Sequence, residues 1–508
     1  MRTPWLASAL LGVAVLAHAS VTNPKALPKD HQQQIDNAEE SIDQGVAYLR
    51  DDNSDAASTA LDTAIRSSAF ADLPASYQQR ALVLSGLIAF EKKDYATAHD
   101  QMKRATSIDS PDLIAKLDET AWNYRFQSAY YLENNRDGAL SIIHIAQHWP
   151  TAIKEVNRGV IYQIDRGIKG KDADLERDYL QALADINWDD DFNASDSLWR
   201  DLALLWLRQG DVQKAIQVSQ RIKSARIVVA MLVDKRFDPI TQANHFDIDQ
   251  IIDKQLASAK AAVAAAPDKL QPVTVLQGLL LDTHHYAEAL SVSDAAIAKA
   301  GGNGGAKAYT DFDDSYVWVL DNRARTLVAL GRWDDAVTQW QHAARRPEQG
   351  AMNVSQVINL ADFYTILQRP KDALDTLTDL GEMSPFGRMQ LEGVKLKAAV
   401  EQNDKAAISV HLDYLRDHRA DAISAWQEAL IVTNNMDAAT DLLVERLANE
   451  AWRSEALVDM QDYLDSPGTP FATEEMRRWK AIVAEPKVQS ELAKVGRIEH
   501  FNLDPEQN

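Results

Sequence analysis

The 508-residue sequence contains no cysteine. That excludes disulfides, thiol nucleophiles, cysteine-ligated zinc and a lipid-modified N-terminal cysteine. Proline is sparse, at 16 residues, and most of it falls between apolar-periodic segments rather than within them. An all-helical chain requires this placement, because proline lacks the N–H and clashes with the preceding turn. After the first twenty residues no uncharged run approaches the roughly 18 apolar residues of a spanning helix, so no direct membrane insertion of the mature chain is expected. Positive charge is outnumbered, 53 Lys and Arg against 75 Asp and Glu, for a net charge of -22. Such a balance argues against binding nucleic acid or anionic membranes and suits a basic partner.

Catalytic signatures are missing as well. There is no G-x-S-x-G elbow and no H-E-x-x-H zinc motif. Around Gly170-Lys171, Asp165 stands where a phosphate loop needs its first glycine, and Asp172 where it needs Ser or Thr. The run Gly301–Gly305 does not open a helix after a strand and is expected to be a flexible loop. His144 and His148 share a helical face, but no third ligand is indicated, and His284-His285 reads as a turn. Asp189–Asp191 and the group Asp311, Asp313 and Asp314 lack EF-hand spacing and read as helix caps. No enzyme activity, cofactor or metal is expected.

What is present begins with Arg2, an apolar stretch from Leu6 to Leu16, and Ala17-His18-Ala19 before Ser20. This is the layout of a signal peptide over residues 1–19, with a periplasmic or secreted product. The sequons at Asn193 and Asn353 matter only in a eukaryotic host.

The most regular stretch runs from Tyr316 to Pro385. Ala336 is followed by Trp340, Ala343 and Pro347, and Ala373 by Leu377, Leu380 and Pro385. These spacings place three side chains on one helical face. The pattern resembles the tetratricopeptide repeat (TPR), a helical hairpin of about 34 residues. The same register fits Gly45, Tyr48, Ala57, Leu61 and Ala64; then Gly86, Ala98, Met102 and Ala105; then Tyr130, Ala139, Ile143 and Ala146. A degenerate fourth unit keeps Gly159 and Tyr162, with Ala173 arriving late, and a fifth has Trp199, Leu202, Trp206 and Ala215. Small residues such as Ala98, Ala215, Ala336 and Ala373 let two helices cross closely, while Trp206, Trp340 and Tyr364 fill the space around them. The expected fold is all-α, an α-solenoid of TPR-like helical hairpins forming a curved superhelix.

The expected divisions are an N-terminal array over 20–230, irregular hairpins over 231–300, a C-terminal array over 316–465, and a helical cap and tail over 471–508. A longer helix is expected from Asp247 to Ala266, a unit at 388–421 with Ala407, His411 and Tyr414, and short helices marked by Trp426, Leu442 and Leu457. The cap is expected as one helix at 473–495 followed by a frayed tail.

By the resemblance, the groove-facing positions include Trp318, Asn322, Arg325, Asn359 and Asp362, with Arg125 as an equivalent in the third unit. Asn side chains there would hold a peptide backbone and Arg a carboxylate. Met389, Glu392 and Gly393 stand where TPR domains that grip a C-terminal carboxylate place Lys and Arg, so that mode is not expected. Tyr309, Phe312 and Tyr316, near the loop 301–315, are apolar enough to anchor a partner or to pack back on the array; the loop 187–197 is the other insertion. The expectation is a non-catalytic exported scaffold for a protein or peptide in envelope assembly, secretion or polymer export. An accessory subunit of an envelope enzyme and a self-associating array remain alternatives.

Overall fold

The computed structural model describes residues 28–189, 195–301, 305–347, 353–464 and 473–503. The signal segment, Asn193 and the middle of the glycine run lie outside these residues. Contacts divide the chain into two compact units, Met1–Asp191 and Phe192–Asn508. The division falls inside the stretch grouped above as 20–230.

In the first unit, α1 (Lys29–Arg50) pairs with α2 (Ser54–Ile65), α3 (Ala75–Glu91) with α4 (Tyr95–Ala105), and α5 (Ala115–Tyr131) with α6 (Asn135–His148). A short helix, α7 (Pro150–Lys154), precedes α8 (Arg158–Ile168) and α9 (Ala173–Asp185). The first two hairpins bury the small and apolar residues of their second helices that the register predicts, while Tyr48 of the first is exposed. Ala57, Leu61, Ala64, Ala98, Met102 and Ala105 are all fully enclosed. Gly45 and Gly86 are small for a definite reason. A Cβ on Gly45 would lie 2.8 Å from Leu61 Cγ, and one on Gly86 would lie 2.8 Å from Met102 Cε. In the third hairpin the buried isoleucines are Ile142 and Ile145, and the expected Ile143 is only half-buried. The core face of α6 is turned by one residue from the simple four-then-seven spacing. The fourth pair departs further. Its Ala173 is the first residue of α9 and so cannot be a crossing contact. α8 and α9 each pack on α6 more than on one another, and Tyr179 fills the space, its hydroxyl donating to the Ile161 carbonyl at 3.0 Å.

The hairpin turns share one construction. Asp52, Lys93, Glu133, Gly210, His284, Gly331, Gln368, Asn403 and Asn434 all have positive φ and all sit two residues before a second helix. The next N–H reaches back five residues, as in Asn53 N to Tyr48 O at 2.8 Å and Asp94 N to Ala89 O at 2.9 Å. This is a Schellman ending, which satisfies the last carbonyls of the first helix. Where that closing residue is Asn53, Asp94, Asn134, Asp211 or Asp404, its side chain also caps the second helix. Asn53 Oδ1 accepts from Ala56 N at 3.1 Å, Asp94 Oδ1 from Thr97 N at 3.1 Å and Asp211 Oδ1 from Lys214 N at 3.1 Å. In those five turns one Asp or Asn serves both helices.

The second unit continues with α10 (Asp196–Arg208) and α11 (Val212–Ser219), then α12 (Ala225–Val233), α13 (Asp238–Asn244) and α14 (Ile248–Ala265). α14 matches the expected long helix, with Asp247 capping it. The hairpins α15 (Gln271–Asp282) and α16 (Tyr286–Gly301), α17 (Phe312–Ala329) and α18 (Trp333–Ala344), α19 (Ser355–Ile366) and α20 (Pro370–Thr376), and α21 (Pro385–Glu401) and α22 (Lys405–Asp417) follow. Then come α23 (Ile423–Val432), α24 (Met436–Ala448) and α25 (Arg453–Asp459), with Trp426, Leu442 and Leu457 buried. The fold is an α-solenoid; among the described residues the only strands are the two-residue β1 (Asp462–Tyr463) and β2 (His500–Phe501), paired in parallel.

Three local expectations are corrected. α20 stops at Thr376, so Leu377 and Leu380 are half-buried loop residues rather than a continued helical face. Asp379 has φ +57°, which a helix does not tolerate, and Pro385 opens α21 at its first position instead of closing a unit. The cap is two helices, α26 (Thr473–Val483) and α27 (Pro486–Val495), because Pro486 starts a new helix. The described part of the tail, residues 496–503, is pinned, not frayed. Arg497 donates to the carbonyls of Val233 and Leu232 at 3.1 and 2.9 Å and pairs with Asp238 at 2.5 Å. Phe501 and Leu503 join the core that holds Val229, Val233 and Leu457. The second unit is thereby closed on itself, with its early helices packed against its last ones.

Candidate binding surfaces

In the second unit, the first helices of successive hairpins carry a connected polar stripe. Its centre is Asp321, buried on α17. Asp321 Oδ1 accepts from Trp340 Nε1 at 2.7 Å and from Asn359 Nδ2 at 2.9 Å, and Oδ2 accepts from Arg325 Nε at 2.8 Å. Further along, Lys397 on α21 bridges Asp362 at 2.8 Å and Glu428 at 2.6 Å. Burial pulls the Lys397 ammonium down, but Asp362, Glu428 and Glu475 together outweigh it and hold it well above its usual range. Beside it, burial and then the Glu475 carboxylate push Glu401 up to about 7, against the pull of Lys397.

The predicted groove residues are placed as follows. Asn322, Arg325, Asn359 and Asp362 do lie on α17 and α19, and the structure brings three of them into the stripe. Their polar atoms have internal partners: Asn322 Nδ2 donates to the Thr274 carbonyl at 3.3 Å, and the other three bond as just described. Trp318 is half-buried and packs on the core formed by Val317, Leu320 and Ala343. Arg125 is buried in the first unit. Its Nε and Nη2 clamp Asp137 at 2.9 and 2.5 Å, Nη1 donates to Thr106 Oγ1 at 3.0 Å, and its guanidinium lies 4.8 Å from the Trp122 ring. His99 Nε2 adds a third contact to Asp137 at 2.8 Å. In this conformation Arg125 has no free edge for a ligand carboxylate.

His144 and His148 stack face to face at 4.1 Å, and Trp122 stacks on His144 at 3.8 Å. Parallel rings cannot aim their lone pairs at one ion. Burial, followed by His148 and Arg125, pulls His144 down to about 4. Asp311 is a cap, as read, though for another helix: it accepts from Leu270 N at 2.7 Å and Gln271 N at 2.8 Å ahead of α15. Asn353 is buried and donates to the Ala343 carbonyl at 3.0 Å, so its sequon is closed to a glycan. Among the described residues, no helix is long and apolar enough to cross a membrane and no three His, Asp or Glu side chains converge for a metal.

The surface that the sequence reading missed is in the first unit. A groove of about 540 Å³ runs between α1 and α3, the first helices of consecutive hairpins. Asp36, Glu39, Glu40 and Asp43 line one wall and Tyr77 the other. Arg80, 3.4 Å from Asp43, is the cation described beside these carboxylates, and its guanidinium lies over Tyr77 at 5.0 Å. Burial, then Asp43 and Glu39, pushes the Tyr77 hydroxyl above its ordinary range. A signal was present. The four acids sit at i, i+3, i+4 and i+7 on α1, on a different face from buried Ile35, Ala38, Ile42 and Leu49.

No family model matches the chain, and no curated protein matches it. Among solved structures it is similar to the APC/C hetero-tetramer Cut9–Hcn1, with 14% identity over 91% of each chain and a TM-score of 0.29. It is also similar to a Rap protein complexed with competence and sporulation factor, at 13% identity over 80% of this chain and 99% of that one, with a TM-score of 0.29. Yeast Tom70 matches at 11% identity over 92% of this chain and all of the other, again with a TM-score of 0.29. Likenesses this distant carry no functional argument. The class is stated from the hairpins themselves: an α-solenoid of TPR-like repeats.

Proposed function

We propose that this chain is a non-catalytic, exported scaffold that holds a protein or peptide partner, and that a basic segment of the partner lies in the groove between α1 and α3. One observation supports the reading most: four carboxylates on one helical face line a groove of about 540 Å³, opposite an aromatic ring. Lysine or arginine side chains would pair with Asp36, Glu40 and Asp43, and their aliphatic stems would lie on Tyr77. A surface made of separate hairpins suits an extended ligand, because each repeat offers one short strip of contacts.

Calorimetry of the full chain with a peptide of alternating lysine and leucine tests the groove. The triple variant Asp36→Asn, Glu40→Gln, Asp43→Asn should weaken binding at least tenfold, with a shallower salt dependence. Equal affinity for the variant and the parent would refute the site. The export part rests on Arg2, the apolar stretch to Leu16 and Ala17-His18-Ala19. Fractionation should place the chain in the envelope or medium with Ser20 as its first residue; a cytoplasmic product retaining Met1 would refute it. A role in envelope assembly or polymer export is the setting we propose for such a scaffold.

A further inference from the structure

A second groove, of about 450 Å³, has the opposite character. It opens between the hairpin α15–α16 and the hairpin α17–α18. Ile297, Tyr316 and Leu320 form its apolar floor, and Arg345, Arg346 and His342 its rim. Among the described residues no carboxylate lines it. Asp294 on α16 is held by Arg323 of α17 at 2.8 Å, and the same guanidinium donates through Nη1 to Gln339 Oε1 at 2.8 Å. Arg323 thus engages both Asp294 and the amide oxygen of Gln339.

The two arginines have no ionic or hydrogen-bonding partner for their guanidinium groups among the described residues. Arg346 is nevertheless held in place. Its guanidinium lies 4.7 Å from the Tyr316 ring and 5.8 Å from that of Phe312, and those two rings stack at 4.5 Å. A guanidinium stacked on a ring uses its face and keeps its in-plane N–H donors available to a ligand. A pre-ordered arginine loses less freedom on binding than a mobile one.

We infer that this groove binds a short acidic peptide segment: a carboxylate paired with Arg345 and Arg346, and a neighbouring apolar side chain resting on Ile297, Tyr316 and Leu320. Planar guanidinium groups match a carboxylate bidentately, and the volume lies within the usual range for ligand sites. A protein segment is favoured over nucleic acid because the chain carries a net charge of -22, which repels a polyanion far more than one or two carboxylates. The inference does not depend on the acidic groove of the first unit, and it gives the scaffold a site for the opposite charge.

The test uses the full chain and a labelled octapeptide of alternating glutamate and leucine, read by fluorescence anisotropy. The expected result is binding at least tenfold tighter than for the glutamine–leucine twin, and a loss of at least tenfold in the variant Arg345→Gln, Arg346→Gln. Both arginines are exposed, so the variant should keep the parent's circular-dichroism melting curve. The triple variant of the acidic groove should bind this peptide as the parent does. Equal binding of the two peptides, an unaffected double variant, or loss in the acidic-groove variant would overturn the inference. So would tighter binding of a uridine octanucleotide that the double variant abolishes.

Discussion

Gly45 offers the sharpest test of how the hairpins are built. It lies inside α1, where an alanine would ordinarily stabilise the helix by about 0.5–1 kcal/mol. Here the added methyl would stand 2.8 and 2.9 Å from Leu61 Cγ and Cδ2, and 3.5 Å from the Ala57 carbonyl oxygen. Leu61 is fully buried and cannot swing aside without disturbing Ala57 and Ala64. Overpacking of this kind costs about 1–3 kcal/mol, so Gly45→Ala should destabilise the hairpin by roughly 0.5–2 kcal/mol after the helical gain. Gly278 is the matched control. It too is inside a helix, α15, but a Cβ there meets nothing within 4 Å. Gly278→Ala should therefore stabilise by about 0.5–1 kcal/mol. Urea denaturation of the full chain followed by circular dichroism gives both signs, and amide exchange of residues 46–49 localises the first effect. A further cycle adds a check. Leu61→Ala should cost less in the Gly45→Ala background than alone, because it removes the atoms that clash. If Gly45→Ala stabilises as much as Gly278→Ala, α1 and α2 do not cross at Gly45, and the steric account of the repeat is wrong.

Three other outcomes follow from the same reasoning. Trp340→Phe keeps a ring but removes the N–H that Asp321 accepts; leaving that carboxylate short of a donor should cost about 1–3 kcal/mol in urea melts. Asp137→Asn breaks the buried clamp on Arg125 and should cost about 3–5 kcal/mol. Burial works against the Asp137 carboxylate, but Arg125 and His99 outweigh it and hold its pKa far below the usual value. Its contribution is therefore complete above the unfolded carboxyl pKa of about 4 and declines only as pH falls below that. Melts between pH 3 and 7 should show the decline in the parent and not in the variant. Glu401 behaves in the opposite sense. Its folded pKa is raised to about 7, and because the side chain is also exposed to solvent, stability should fall only modestly as pH rises from the unfolded value of about 4.3 through 7. Glu401→Gln should remove that slope, and an unchanged slope would show that Glu401 is ordinarily hydrated.

The sequence was sufficient for the repeat. Crossing points need a residue as small as Gly45, Ala98 or Ala336, and the gaps beside them need one as large as Trp340, so the steric rule is written locally. The paired turns are local too: a residue able to take positive φ followed by Asp or Asn is a readable sign of one helix ending and the next beginning, as at Gly210-Asp211. α14 was legible for the same reason, with Asp247 at its start and Pro267 just past its end.

Tertiary structure alone decided the rest. Whether Arg125 faces a ligand or Asp137 depends on where α6 sits, and spacing within α5 cannot say. Asn359 and Asp362 were correctly placed on α19, but their partners, Asp321 and Lys397, come from neighbouring hairpins 38 and 35 residues away. The tail looked ready to fray because its hold on the fold, Arg497 against Val233 and Asp238, spans more than 250 residues. Local chemistry sets each hairpin. The groove between two hairpins, and the charge that faces into it, exists only once they are stacked.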